Sequence, residues 1–209
     1  MAPPAQFNGR RVEIDGTADP ELDYGDIAGR YLQELAERAL RIDTNAVAAI
    51  AECVVSALRA DSTVFIAGNG GSAAAAMHIA CDWLTMCRLA RFPHARIINL
   101  ADNAATVTAI ANDVGFARIF ARQIEVMGRS GDVLVLLSVS GNSSDIVEAA
   151  ATARERGLRV MGLFGNAGSA VRYCDTWTEF GDGDYGQTED LHLAVNSVQI
   201  GRASCRERV

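Results

Sequence analysis

Ser138, Ser140 and Ser143 stand around a Gly141-Asn142 turn, directly after the apolar run Val133-Leu134-Val135-Leu136-Leu137 and directly before a segment of helical pattern. Hydroxyls both donate and accept hydrogen bonds. A helix start adds unpaired N–H groups and the positive end of its dipole, so such a loop can wrap a phosphate. Gly68-Asn69-Gly70-Gly71-Ser72 repeats the arrangement after Thr63-Val64-Phe65-Ile66-Ala67. There the glycines let the backbone approach an anion, and Asn69 and Ser72 add polar groups. One capping serine needs no ligand. Three serines around one turn favour a phosphate, and two such loops point to a small ligand with a phosphate and a polar body, such as a sugar phosphate.

Two titratable pairs follow at helical spacing. His78 and Asp82 are four residues apart after the first loop; Glu189 and His192 are three apart near the last helix. Each pair shares a helix face. Either could supply acid–base groups or metal ligands, and each alone reads equally as a hydrogen bond on a helix surface. His94 follows Pro93 in a loop and reads as exposed; Asn112-Asp113 reads as a turn and cap; Trp83 and Trp177 read as core or subunit interface. Gly68-x-Gly70-x-x-Ala73 fits a permissive dinucleotide fingerprint, with Asp102 ending the next strand. Asp102 lies well beyond the usual spacing, however, and the serine loop would be left without a role. No nucleotide cofactor is expected.

The elements that must position these residues alternate. Strands are predicted at 63–67, 95–100, 132–138, 159–164 and 176–180. Helices are predicted at 72–87, 103–111, 116–127, 143–156 and 188–198. Short, wholly apolar strands between helices specify a parallel sheet covered on both faces, whose ligands bind at the carboxyl ends of the strands. Ahead of the first strand, Ile27, Tyr31, Leu32, Leu35 and Leu40, then Val47, Ile50, Val54 and Leu58, recur at helical spacing around Asp43-Thr44. They predict an N-terminal helical hairpin. Residues 1–25 read as a loose arm, 26–198 as the domain, and 199–209, with three arginines in the last eight residues, as a non-native or disordered tail.

The chain has 209 residues, 49% hydrophobic and 22% charged, enough for one full core. A net charge of −7 without a long basic run argues against nucleic-acid and anionic-membrane binding. Five cysteines without CxxC spacing fit free thiols in a reducing cytoplasm. The first residues lack a basic start and apolar stretch, and no window is long and apolar enough to span a membrane.

The runs GNGGSAAAAMHIACDWL, TAIANDVGFARIFARQIE, SVSGNSSDIVEAAATAR and DYGQTEDLHLAVN, in this order, resemble the sugar isomerase (SIS) family. Within it they look most like the phosphoheptose isomerases. The resemblance covers roughly residues 27–198. It implies an α/β fold of flavodoxin-like type, with a five-stranded parallel sheet flanked by helices. It also implies a homotetramer with sites at subunit interfaces. The implied reaction interconverts sedoheptulose 7-phosphate and D-glycero-D-manno-heptose 7-phosphate, toward lipopolysaccharide or other surface heptoses. The family's phosphate and substrate contacts fall on Ser138, Ser140, Ser143, Asn69, Gly70, Gly71, Ser72 and Asp102.

Its zinc-ligand histidine falls on His78. The carboxylate that is both ligand and base falls on Asp82, a glutamate in the family, and a further ligand falls on Glu189, where the family has glutamine. Its second zinc histidine, also the acid, falls on Ser197, and its loop threonine on Val139. His192 is the expected substitute acid. A second reading, a non-catalytic phosphosugar-binding or regulatory protein like the bacterial replication-initiator-associating protein, fits the loss at Ser197.

Overall fold

The structure is a computed structural model that describes residues 6–7, 10–11, 23–89, 94–181 and 184–199. The chain divides into two compact units, Met1–Ala36 and Glu37–Val209. In the first, β1 (Gln6–Phe7) and β2 (Arg10–Arg11) pair antiparallel within the stretch expected to be a loose arm. Helix α1 (Tyr24–Ala39) begins there. The expected tail at 199–209 lies, from residue 200 on, outside the described residues.

The second unit is an alternation of strand and helix. Helix α2 (Thr44–Arg59) starts where Asp43 accepts hydrogen bonds from the N–H groups of Asn45 (2.9 Å) and Ala46 (3.1 Å). The two helices expected before the sheet therefore both form, separated at Asp43 as its capping chemistry requires. Then follow β3 (Thr63–Ala67), α3 (Gly71–Leu89), β4 (Arg96–Asn99), α4 (Ala104–Asp113), α5 (Ala121–Met127), β5 (Val133–Ser138), α6 (Ser144–Glu155), β6 (Arg159–Phe164), β7 (Thr176–Glu179) and α7 (Tyr185–Gln199). The one long helix expected at 116–127 divides into a 3-10 turn, Phe116–Arg118, and α5. Gly115, with φ +122°, sets the chain's entry to that turn.

All five strands are parallel in the order β4-β3-β5-β6-β7. Every residue of β3 and β5 is buried, which is why these strands read as unbroken apolar runs rather than alternating ones. Phe65, Leu134 and Leu136 pack with Ile146, Ala149, Ala150 and Ala153 of α6. The chain runs from β3 outward to β4 and then crosses back to β5 on the other side of β3. The strand order therefore reverses between the carboxyl ends of β3 and β5, and the helices that follow them diverge to opposite faces, opening a crevice. Trp83 is buried within this unit, whereas Trp177 is half-exposed.

Candidate active site

Both glycine-serine loops open on that crevice. It holds a cavity of about 210 Å³ lined by Asn69, Gly70, Gly71 and Ser72 of the first loop and Ser138, Val139, Ser140 and Ser143 of the second. Tyr185 and Glu189 of α7 close it. Eight of the sequence-derived site residues thus meet: Asn69, Gly70, Gly71, Ser72, Ser138, Ser140, Ser143 and Glu189. The sequence reading did not single out Tyr185, although it lies in a run quoted for the family resemblance.

The hydroxyls are oriented by the turn itself. Ser138 Oγ accepts from the N–H of Gly141 (3.1 Å), and Ser140 Oγ accepts from the N–H of Asn142 (3.2 Å). A hydroxyl that accepts from backbone keeps its own proton to donate. Ser143 is the N-cap residue of α6, yet its side chain makes no capping hydrogen bond. Gly141 has φ +60°, and a Cβ there would lie 2.5 Å from the N of Gly168. Only glycine lets the turn pack this closely. Asn142 fastens the turn from outside, its Oδ1 accepting from the N–H of Ser169 (2.8 Å).

In the first loop, Asn69 donates from Nδ2 to Asp145 Oδ2 at 2.7 Å. Asp145 lies in the first turn of α6 and is only 1% exposed. Burial raises its pKa, opposed by hydrogen bonds from Asn69 and from the N–H groups of Asp145 and Ile146. Glu189 sits against the start of α3: a Cβ on Gly71 would lie 2.1 Å from its Oε2. Its carboxylate thus meets the positive end of that helix. Burial, then the charge of Asp190, raises the Glu189 pKa. The first turn of α7 is anchored by Arg38, which donates to the carbonyls of Phe180 (3.2 Å) and Gly181 (2.8 Å), to Gln187 Oε1 (2.6 Å) and to Thr188 Oγ1 (3.3 Å).

The remaining expected residues lie elsewhere. Asp102 follows β4, on the far side of β3 from the serine loop, and accepts from Asn99 Nδ2 at 2.7 Å. It lines a separate cavity of about 500 Å³ with Asn103, Thr106 and Gln123. His78 Nε2 and Asp82 Oδ2 pair at 3.2 Å, both half-exposed, and Asp82 Oδ2 also accepts from Asn196 Nδ2 at 2.8 Å. His192 is 0% exposed: its Nε2 donates to the Leu163 carbonyl at 3.0 Å and its ring meets Phe180 edge-on. Burial lowers its pKa to about 4. A sealed, neutral imidazole cannot hand a proton to a ligand, so the expectation that His192 supplies the acid is corrected here. Ser197 lies on α7, its side chain outside the described residues.

His78, Asp82 and Glu189 do not make a zinc site within one chain. Glu189 lies against Gly71, and Asp82 is eleven residues farther along α3, about 16 Å of helix at 1.5 Å per residue. Among the described residues, no three His, Cys, Asp or Glu side chains converge as a metal requires.

A model of the SIS domain family matches residues 29–173. A phosphoheptose isomerase of Rhodospirillum rubrum is 40% identical over 157 residues, 75% of this chain and 83% of the relative. One from a Bradyrhizobium strain is 42% identical over 147 residues, 70% of this chain and 74% of the relative. Among solved structures, the phosphoheptose isomerase of Neisseria gonorrhoeae superposes with a TM-score of 0.77 at 28% identity, covering 85% of this chain and 96% of that one.

Proposed function

The chain belongs to the SIS domain family, and from that premise we propose that it interconverts sedoheptulose 7-phosphate and D-glycero-D-manno-heptose 7-phosphate. It is a phosphosugar isomerase, as its relatives' name states of them. The observation that carries the reading is the cavity at the sheet's switch point, where both polar loops meet. Donors from two helix starts and three serines suit a phosphate, and among the described residues no lysine or arginine lines the cavity. The phosphate is therefore held by dipoles and hydroxyls. Its binding energy, remote from the reacting carbons, positions C1 and C2.

Aldose–ketose isomerisation moves one proton between adjacent carbons and one between their oxygens, through an enediol. In this reading Asp82 is the base. His78 and Asn196 each contact its Oδ2, which fixes the carboxylate. Ser72 and Asn69 contact the sugar; Asp102, expected to do so, lines the separate cavity beside β4 instead. Well-placed proton transfer of this kind contributes about 10²–10⁴-fold. The assembly is a homotetramer in which subunit contacts bring the His78–Asp82 pair to a pocket; half-exposed Met77 and Leu84 on α3 supply an apolar face for such contacts. We place the enzyme in the cytoplasm, on a route to surface heptoses. Among the described residues no helix is long and apolar enough to cross a membrane.

The test is incubation of the purified protein with sedoheptulose 7-phosphate, with and without added zinc, followed by NMR. Formation of the aldose phosphate is expected. Sugar-phosphate binding without turnover in either arm would replace this reading with the non-catalytic binding protein.

A further inference from the structure

One buried ionisable group lies behind the pocket, bonded to a residue that lines it, without taking part in the chemistry above. Asp145 is on α6, behind the serine loop, and Asn69 is on the glycine loop, 76 residues earlier; their side chains meet at 2.7 Å. This hydrogen bond between side chains joins the two halves of the cavity. A carboxylate next to a phosphate pocket repels the ligand. Its value must therefore lie in what it orients. As a charge-assisted acceptor it commits one N–H of Asn69, which fixes the carboxamide and leaves its oxygen and second N–H to meet a sugar phosphate.

We propose that Asp145 is a positioning residue for the sugar-phosphate site, setting the Asn69 carboxamide and with it the first loop against the second. The proposal rests on the phosphate-pocket part of the function above, and not on turnover. Without an acceptor at position 145, Asn69 loses its fixed rotamer and the loop must be ordered by the ligand, at the cost of affinity. Asn at 145 keeps an acceptor oxygen while removing the repelling charge, so Asp145→Asn should preserve binding where Asp145→Ala does not.

The experiment is calorimetric titration of the full-length protein with sedoheptulose 7-phosphate, and separately with inorganic phosphate, for wild type, N69A, D145A, N69A/D145A and D145N. Thermal midpoints are recorded alongside. N69A and D145A should each weaken sugar-phosphate binding about tenfold, and the double variant should be no more than about twofold worse than the weaker single one. D145N should bind within about threefold of wild type. A merely structural role would lower the thermal midpoint of D145A while its effect on affinity multiplied with that of N69A, and that outcome overturns the proposal. So does a D145N as weak as N69A, or an N69A with unchanged affinity, both of which remain measurable if D145A does not fold. Wild type that binds neither ligand removes the pocket reading and this proposal together. Wild-type binding without coupling removes this proposal alone.

Discussion

At the residue scale, the site is a set of hydroxyls that keep their protons to donate. Ser140 accepts from the N–H of Asn142, and Ser143 caps α6 without a side-chain bond. Both are therefore able to donate to an anion. Ser140→Ala together with Ser143→Ala should weaken binding of sedoheptulose 7-phosphate at least about tenfold by titration, with the thermal midpoint little changed, because two donors are lost and no buried partner is stranded. His192 leads to a different prediction. Its folded pKa of about 4 lies below the ordinary 6.5. Between those values the unfolded chain binds the extra proton, so stability rises with pH across this window and is lost as pH falls through it. The difference corresponds to about 3 kcal/mol at most. Urea midpoints at pH 7 and pH 4.5 should therefore converge in His192→Gln relative to wild type. An unchanged pH slope would show that the ring is not buried neutral.

At the element scale, the strand-to-helix turn after β5 leaves no room for a side chain at Gly141. Gly141 is in left-handed backbone, with the Gly168 N and the Asn166 carbonyl pressed against the place a Cβ would take. Gly141→Ala should cost about 1–3 kcal/mol from the backbone conformation, and more from the overlap. Denaturant titration reads that cost. Phosphate affinity should fall at the same time, because Ser138 and Ser140 are aimed by hydrogen bonds within this turn. A variant of wild-type stability and affinity would refute the close packing. The elements themselves were legible where the pattern was strong. The largely apolar runs predicted as strands at 63–67 and 132–138 became β3 and β5, and Asp43 capped α2. The segment 116–127 read as one helix, but the chain enters it from Gly115, with φ +122°, through a 3-10 turn at Phe116–Arg118 before α5 begins. The Asp145–Asn69 link was not legible: an acidic residue in a first helical turn reads as complementing the dipole, and only the packed loops show what it holds.

At the scale of the whole molecule, the proposed homotetramer is what brings the proposed catalytic groups together. The serine pocket and the His78–Asp82 pair are separate features of one chain. Met77 and Leu84 are each 47% exposed and share a face of α3 at a spacing of seven residues. If the proposed tetramer forms through this face, Met77→Glu with Leu84→Glu should shift the mass seen by light scattering toward smaller species and abolish turnover. Sugar-phosphate binding should persist, because the serine pocket lies within one chain. Unchanged mass would move the interface elsewhere.

The sequence alone determined the α/β class and a parallel sheet of short buried strands, because these are written in local apolar runs, and its motif runs identified the family by resemblance. What depended on packing came only from the tertiary structure. It placed the two loops side by side at the reversal of strand order and added Glu189 and Tyr185 to them. It sent Asp102 to the far side of β3, sealed His192 against Leu163 and Phe180, and tied Asn69 to Asp145. Spacing along a helix says which residues share its face; only the packing of that helix says what the face meets.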